Sequence, residues 1–284
     1  MSKICSVIIT YNFNDDFIKG FKSVYTQVDH IIIVDNSSNP LCIEKLMKIN
    51  KLDRVDVIFN NKNYGIAKAI NQGIEKANLN KYEWILTLDH DSVIENNYID
   101  KIIKVLREID DSKIGIVCPN VYDLNLSEYM FTTEIKYSYV EKCIQSGALF
   151  NTQMLKEVGV FNEELFIYYV DEDMCERARN KNYNILRVNK AIIFHKDGNM
   201  EKKKILWKEF DFNKRSKHAT YYRARNCIFM SKRYSYKYLK DNIRDPIKIL
   251  FYDNERLSKL KYYLIGLCDG LINKYGEIDN KYNF

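Results

Sequence analysis

Long apolar runs are missing from this sequence of 284 residues, and none reaches the length needed to cross a bilayer. The N-terminus, residues 1–4, runs directly into a strand-like segment, so we expect no signal peptide before it. These two absences predict a soluble or peripheral protein. We expect it in the cytoplasm, and a peripheral position at the inner face of the cell membrane stays open.

Paired cysteines are also missing. The seven cysteines are odd in number, form no C-x-x-C pair and make no cluster with histidine at zinc-ligand spacing, which argues against a zinc site. Several lie inside apolar runs, as Cys5 does within residues 4–9. Buried free thiols in a reducing compartment fit this distribution best.

What the sequence does contain is enough apolar material for a core, because 46% of its residues are hydrophobic. Its length suits one large α/β domain, or a catalytic domain with a smaller appendage. The net charge of +6 is uneven: residues 201–261 hold 18 Lys and Arg against 7 Asp and Glu. Such a segment can meet nucleic acid, a phosphate-bearing ligand or an anionic membrane, and a merely solvated basic surface explains it equally well.

Strand and helix signals alternate through the first 120 residues. This order predicts βαβ units with a mostly parallel, Rossmann-like sheet flanked by helices. The predicted strands are 4–10, 30–35, 55–59, 84–88 and 115–119, and the predicted helices are 15–24, 41–49, 65–76 and 98–109.

The pattern loosens after residue 119. We expect hairpin or loop material at 128–139, strands at 145–150 and 185–194, helices at 154–158 and 171–181, and a mainly helical, basic region from 202 onward. The predicted organisation is a catalytic domain over 1–200 and a C-terminal region over 201–284. Within the first domain, residues 1–120 form the nucleotide half and 120–200 the acceptor half.

Polar residues follow four of the predicted strands. In open α/β sheets, ligands bind beyond the carboxyl ends of the strands, so these ends predict one shared site. They are Thr10-Tyr11-Asn12, Asp35-Asn36-Ser37, residues 60–63 and Asp89-His90-Asp91.

Asp89 and Asp91 are the strongest metal-ligand candidates. Two carboxylates at i and i+2 after a buried strand can flank one Mg²⁺ or Mn²⁺, which prefers oxygen ligands and is commonly shared with substrate phosphates. A polar turn is the plain alternative, because D-x-D also occurs by chance. His195 ends a predicted strand and is either a third ligand or a structural histidine.

Asp171 and Arg225 are candidates for the remaining chemistry. Asp171 opens a predicted helix, where a carboxylate can be a catalytic base, an N-cap, or both. Asp173 is the rival base, and its plain explanation is an i,i+4 pair with Arg177. Arg225, in the run YYRARN at 221–226, could bind a diphosphate through its guanidinium or be a surface arginine.

An ordered set of motifs spanning about residues 2–226 resembles the family 2 glycosyltransferases with a GT-A fold. These motifs are 6–12 (SVIITYN), 34–38 (VDNSS), 63–67 (NYGIA), 71–74 (NQGI), 88–92 (LDHDS), 159–166 (GVFNEELF) and 169–173 (YVDED). The resemblance implies a nucleotide-diphosphate sugar donor and a saccharide or lipid-linked saccharide acceptor. It also implies inversion at the anomeric carbon.

The resemblance further implies roles for individual residues. Asp35 would hydrogen-bond the base, Asp89 would reach the ribose or the metal, Asp91 would hold Mn²⁺ or Mg²⁺, and Asp171 would take the acceptor proton. The other residues assigned to nucleotide-sugar binding are Thr10, Tyr11, Asn12, Asn63, Lys68, Asn71 and Arg225.

A narrower resemblance is to the rhamnosyltransferase branch, which uses dTDP-L-rhamnose to build surface polysaccharide. The segments at 89–92, 169–171 and 221–226 carry it. Two positions depart from the family pattern: Val170 replaces the usual glutamate before the base, and Tyr64 replaces a glycine. The Q-x-x-R-W motif of processive synthases is absent, which predicts single additions. A UDP-hexose or UDP-HexNAc donor is the alternative.

The sequence disfavours three other functions. A nucleotidyltransferase usually carries a Gly-rich, basic loop after its first strand, yet residues 10–16 contain no Gly, Lys or Arg. A nucleic-acid-binding module would explain the basic, Tyr-rich C-terminal third but leaves the acids unexplained, so we expect no nucleic-acid partner. An inactive scaffold is disfavoured because every motif keeps its acid. Membrane contact and a homodimer both stay open for residues 234–271.

Overall fold

The computed structural model describes residues 2–109, 111–196, 200–205, 208–213 and 215–279. The chain forms two compact units, residues 1–161 with 174–196 and residues 162–173 with 197–284. The segment 162–173, which the sequence assigns to the acceptor half of the first domain, therefore packs with the C-terminal residues. Within these described ranges, no helix combines the length and the apolar character that a membrane span requires.

The first unit is built on a ten-stranded sheet. Its strand order is β3-β2-β1-β4-β9-β6-β10-β5, with β7 paired to β6 and β8 to β10. The strands are β1 (Ile4–Thr10), β2 (His30–Asp35), β3 (Val55–Phe59), β4 (Trp84–Asp89), β5 (Val93–Ile94), β6 (Ile114–Asp123), β7 (Glu128–Tyr129), β8 (Tyr137–Tyr139), β9 (Leu149–Asn151) and β10 (Asn184–His195). The four strands from β3 to β4 are parallel, as are β6 and β10. The predicted mostly parallel α/β sheet flanked by helices is confirmed.

Helices follow the strands as the βαβ pattern predicts. They are α1 (Asp16–Tyr25), α2 (Pro40–Ile49), α3 (Ile66–Ala77), α4 (Tyr98–Glu108), α5 (Thr152–Val158) and α6 (Val170–Asn180). All seven residues of β1 are buried, because β1 lies inside the sheet and α3 packs against it. A Cβ at Gly73 would come within 2.3 Å of a Val7 methyl, so only glycine permits this approach of α3 to β1.

Three local predictions needed adjustment. The strand expected at 115–119 continues as β6 to Asp123, where it pairs with both β10 and β7. The strand expected at 145–150 is shorter, since residues 145–148 form a turn before β9. The hairpin or loop expected at 128–139 is mostly loop with two short strands, β7 and β8, which pair with the long strands β6 and β10 and not with each other. Local spacing cannot show pairing with distant strands.

The second unit contains a hairpin at the start of the region that the sequence predicts to be mainly helical. Strand β11 (Met200–Ile205) pairs antiparallel with β12 (Lys208–Asn213), so the region after residue 202 is not helical from its start. Three helices follow: α7 (Lys217–Arg233), α8 (Lys237–Tyr252) and α9 (Arg256–Leu271). Gly266 lets α9 pack close to α7, because a Cβ there would lie 2.4 Å from the Tyr221 carbonyl oxygen.

Candidate active site

Three neighbouring parallel strands of the first unit end in polar residues at one edge of the sheet. Thr10 on β1 is in register with Asp35 on β2, and Ile9 on β1 is in register with Asp89 on β4. The order β2-β1-β4 therefore sets the three predicted strand ends side by side. Asn60, after β3, joins them by donating its backbone N–H to the Asp35 carbonyl at 2.9 Å.

Asp35 organises the turn after β2. Its carboxylate accepts the Thr10 hydroxyl at 2.8 Å and the Ser38 backbone N–H at 2.8 Å, and its side chain has no exposed surface. Because no surface of this side chain is exposed, the turn would have to move before a base could reach the carboxylate. The expected base contact stays a prediction, and the observed work of Asp35 is to hold the turn. Tyr11, which follows Thr10 at the end of β1, is 45% exposed and accessible to a ligand.

Asparagine side chains hold the loops on either side of this turn. Asn36 donates to the Asn63 side-chain oxygen at 3.0 Å, and the Gly65 N–H donates to the same oxygen at 2.9 Å. Asn12, in the left-handed region at φ 46°, accepts the Asn39 N–H at 2.9 Å. Asn63 and Asn12 keep exposed surface, so their assignment to nucleotide binding stays a prediction.

Asn71 has a different role from the one expected. Its amide donates to the Phe161 carbonyl at 2.8 Å and accepts the Phe161 N–H at 2.9 Å. The side chain is only 8% exposed, and both of its polar atoms bind the backbone of the loop after α5. We correct the prediction that Asn71 lines the nucleotide pocket, because it pins this loop to α3. Lys68, one turn earlier on α3, is partly exposed, and its donor role stays a prediction.

The predicted metal ligands come together. One ligand atom each from Asp89, Asp91 and His195 lies within 4.8 Å of the others, and all three residues are partly exposed. The His195 Nδ1 atom lies 3.9 Å from Asp91 Oδ1. Two carboxylates and an imidazole at the carboxyl ends of the strands are a suitable donor set for Mn²⁺ or Mg²⁺. His195 reaches this cluster because β10, which it ends, lies in the same sheet as β4.

Asp89 is held by residues to which the sequence alone gave no role. The Gln145 amide donates to Asp89 Oδ1 at 2.6 Å, and the Asp89 N–H donates to the Ser146 hydroxyl at 3.0 Å. The Ser92 hydroxyl lies 2.8 Å from Ser146 Oγ and 2.9 Å from His195 Nδ1. These contacts join residues 54 to 103 positions apart, so no local spacing could have predicted them.

These surroundings shift the pKa of Asp89. Burial is the largest influence on the pKa of the Asp89 carboxyl and raises it above its ordinary value. His195 and the Gln145 hydrogen bond act in the opposite direction, while the nearby Asp91 raises the pKa further. A bound divalent cation would favour the ionised form, which is the form that ligates metal.

The two candidate bases stand in different surroundings at the start of α6. Asp171 lies in the first helical turn, partly exposed, and its carboxylate accepts the Glu172 N–H at 3.0 Å. Because α6 begins at Val170, Asp171 is inside the helix and not at the cap. Asp173 is fully buried and accepts the Tyr234 hydroxyl at 2.7 Å. These exposures favour Asp171 over Asp173 as the residue that meets an acceptor.

Arg225 does not fit the expected diphosphate contact. Its side chain is fully buried on α7, and its guanidinium donates to the Asn226 side-chain oxygen at 2.9 Å and to the Glu164 and Leu165 carbonyls at 3.0 Å each. It also donates to the Gly276 carbonyl. We correct the assignment to nucleotide-sugar binding, because the fork is occupied by carbonyl oxygens away from any surface.

With this geometry in place, comparison with known proteins gives the family. The profile of Glycosyl transferase family 2 matches residues 5–159, which is more than half of the chain. The chain belongs to this family and is a glycosyltransferase. The matched range contains the ends of β1, β2 and β4, including Asp35, Asp89 and Asp91.

Individual proteins agree with this membership. The dTDP-rhamnosyl transferase RfbF of Shigella flexneri is 27% identical over 294 residues, covering 95% of this chain and 96% of that protein. GalNAc-T7, solved with UDP, GalNAc and Mn²⁺, superposes with a TM-score of 0.62 at 15% identity, covering 96% of this chain and 57% of its own. The mannosyltransferase PcManGT of Pyrobaculum calidifontis, solved with GDP-Man and Mn²⁺, gives 0.56 at 11% identity, covering 96% and 88%. These two structures establish the GT-A fold.

Proposed function

We propose that this glycosyltransferase moves one L-rhamnose from dTDP-L-rhamnose to a hydroxyl of a saccharide acceptor during synthesis of a surface polysaccharide. The observation that carries the donor assignment is the similarity to a dTDP-rhamnosyl transferase along nearly the whole of both chains. The motifs at 89–92, 169–171 and 221–226 agree with it. A saccharide on a lipid carrier is the acceptor that best suits such a pathway.

The reaction we propose is a single displacement. The acceptor oxygen forms a bond to the anomeric carbon as the bond from that carbon to the diphosphate oxygen breaks, so the configuration inverts and dTDP leaves. Asp171 takes the proton of the attacking hydroxyl as general base. Its place in the first turn of α6 favours the ionised carboxylate, since the helix N-terminus carries partial positive charge.

The donor diphosphate meets the strand ends of the first unit. Asp89, Asp91 and His195 would hold Mn²⁺ or Mg²⁺, which offsets negative charge on the departing diphosphate. Gln145 donates to Asp89 Oδ1, and we expect the other carboxylate oxygen of Asp89 to face the ligand. Tyr11 and Asn12, both exposed, extend the same surface.

A donor screen tests this proposal. Transfer and hydrolysis are measured with dTDP-L-rhamnose, UDP-glucose, UDP-GlcNAc and GDP-mannose, each with Mn²⁺, with Mg²⁺ and with EDTA. We expect turnover of dTDP-L-rhamnose to exceed that of the others and to stop in EDTA. Preference for a UDP-sugar would overturn the rhamnose assignment and leave the family in place. Metal-independent turnover would overturn the role of the acidic cluster.

We also propose that α8 contacts an anionic membrane surface. Ile243, Ile247, Leu250 and Phe251 recur along one side of α8 with i, i+4, i+7 and i+8 spacing, and all are exposed. Apolar residues so placed on a helix with flanking cations suit the interface of a bilayer.

The charges of α8 and α9 support an anionic partner. Asp245 is buried and bound by Arg223 at 2.8 Å, and Asp253 is buried and bound by Lys259 at 2.6 Å. Lys240, Lys248 and Arg256 are exposed, and in the described part of the chain no acid pairs with them. Asp245 and Asp253 are thus buried, while Lys240, Lys248 and Arg256 are exposed beside one exposed acid, Glu255. Each cation near an anionic leaflet contributes about 1 kcal/mol to binding.

Co-sedimentation with liposomes tests the membrane contact. We expect pelleting with phosphatidylglycerol vesicles at low salt, loss of it at high salt, and loss of it in the double variant Ile243→Ser, Ile247→Ser. The control is Leu41→Ser, which removes an even more exposed apolar side chain from α2. Equal pelleting by both variants, or none by the wild type, would exclude this surface. A concentration-dependent dimer that the double variant abolishes would assign the face to a second copy instead.

A further inference from the structure

A strained aromatic turn directly precedes α6 in the second unit. Phe166, Tyr168 and Tyr169 have φ angles of 63°, 66° and 62°, in the left-handed region that residues other than glycine rarely adopt. Phe166, with ψ −62°, is the centre of a γ-turn in which the Ile167 N–H donates to the Leu165 carbonyl at 2.7 Å. This positive-φ γ-turn is among the rarest and most strained turns in proteins.

Two buried side chains of α7 hold this turn. The Asn226 amide nitrogen lies 2.8 Å from the carbonyl oxygens of Leu165 and Ile167 and 3.0 Å from that of Tyr168. Arg225 adds its hydrogen bonds to the carbonyls of residues 164 and 165. The carbonyl oxygens of residues 164, 165, 167 and 168 therefore lie against side-chain donors that come from about 60 positions later in the chain.

Ring packing fixes the same turn from another side. Phe166 stacks on Tyr222 with centroids 4.8 Å apart and planes within 6° of parallel. The Arg225 guanidinium lies 4.9 Å from the centroid of the same Tyr222 ring. The YYRARN run is thus one helical segment that contacts the turn through the Tyr222 ring, the Arg225 guanidinium and the Asn226 amide.

A turn that only connected two elements would not need strained aromatics, because glycine adopts positive φ without steric cost. Strained conformations persist where the surroundings over-determine them, and they cluster at functional sites. Asp171 lies two residues after the end of this turn, with Val170 between them. We propose that Arg225 and Asn226 are positioning residues for transfer: they lock the turn at 166–169 in the conformation that sets where α6 begins and so presents Asp171. This rests on the proposed function, in which Asp171 is the base.

The test compares Asn226→Ala with a matched control, Asn242→Ala. Asn242 is also buried in the second unit, and its amide donates at 3.4 Å to the Ala224 carbonyl of α7 and not to a carbonyl of the turn. We expect Asn226→Ala to lower kcat about 10- to 100-fold, since small misplacement of a reacting group costs this much. Binding of dTDP with Mn²⁺, measured by calorimetry, should stay near wild type. Asn242→Ala should lower Tm without a comparable loss of kcat.

A double variant separates positioning from plain structural support. If Asn226 acts through Asp171, adding Asn226→Ala to Asp171→Asn should lower kcat little further, because both changes remove the same contribution. Full additivity, or wild-type kcat in Asn226→Ala, would overturn the positioning role while leaving Asp171 as base. Wild-type kcat in Asp171→Asn alone would overturn the base assignment itself, and the positioning proposal with it.

Arg225→Lys serves if Asn226→Ala does not fold. Lysine keeps the positive charge but lacks the planar fork that reaches two carbonyls at once. We expect the same pattern in a weaker form: lower kcat, unchanged dTDP binding and non-additivity with Asp171→Asn. Loss of dTDP binding in step with kcat would show a general structural defect and contradict the proposal.

Discussion

The strand ends of the first unit and the turn before α6 in the second unit differ in backbone geometry and in what holds their functional residues in place. At the strand ends, Asp89 and Asp91 follow a regular buried strand, and in-register parallel pairing brings them to the same edge as Asp35. Before α6, the backbone leaves ordinary geometry, and buried Arg225 and Asn226 hold it there. A regular sheet can present ligands for a metal and a diphosphate with little strain. Placing a single carboxylate such as Asp171 takes a specifically held turn.

The largest effect is expected from removing a metal ligand at the strand ends of the first unit. Asp91→Ala should abolish detectable transfer, because one of the two hard oxygen ligands is lost from the cluster with Asp89 and His195. Turnover is measured with Mn²⁺ and with Mg²⁺ over a wide concentration range. Asp56→Ala, on the edge strand β3, is the control for loss of a carboxylate from the same sheet. Turnover in Asp91→Ala within tenfold of wild type would place the metal elsewhere.

The next largest effect is expected from replacing the Asp171 carboxylate, which follows the strained turn in the second unit. Asp171→Asn should lower kcat by about 10²–10⁴-fold, the usual contribution of a general base. Asp173→Asn is the informative neighbour. Asp173 is buried against Tyr234, so we expect that variant to lose stability more than turnover. The reverse result, with Asp173→Asn inactive but stable and Asp171→Asn active, would exchange the two roles.

A smaller effect tests the support of the metal ligands. Gln145→Leu keeps the side-chain size but removes the donor to Asp89 Oδ1, and we expect Mn²⁺ affinity to fall about tenfold. Electron paramagnetic resonance titration of free Mn²⁺ measures this without turnover. Gln153→Leu, an exposed glutamine of the same unit, should bind Mn²⁺ as wild type does. Equal affinities for both variants would show that Gln145 does not orient Asp89.

The smallest effect is expected from removing the hydrogen bond between Tyr234 and Asp173 in the second unit. Tyr234→Phe removes the hydroxyl that donates to buried Asp173, and we expect the free energy of unfolding to fall by about 1–3 kcal/mol. Tyr236→Phe, whose side chain is 77% exposed, is the control and should change little. Thermal melts followed by circular dichroism compare the two. Equal melting temperatures would mean that the buried carboxylate does not depend on this hydroxyl.

The same contrast explains what could be predicted from the sequence. The strand ends could be predicted, because alternating strands and helices determine which polar residues meet at one edge, and D-x-D is a local pattern. The place of His195 at the end of a strand predicts its approach to Asp89 and Asp91, and its role as a metal ligand stays a prediction. Gln145 and Ser146 were not predicted, since their contacts to Asp89 depend on a turn 56 residues away in the chain. Arg225 and Asn71 were noticed as motif residues but given ligand roles, because a motif shows where a residue recurs and not whether it faces solvent.

The separation between metal-dependent donor binding and proton transfer is tested most directly by one calorimetric experiment. Binding of dTDP is titrated with and without Mn²⁺ for the wild type, Asp91→Ala and Asp171→Asn. Asp91→Ala should lose the metal-dependent part of the affinity, while Asp171→Asn should bind dTDP as the wild type does. If Asp91→Ala keeps its metal-dependent affinity, or if Asp171→Asn loses it, the division of labour between the two regions is contradicted.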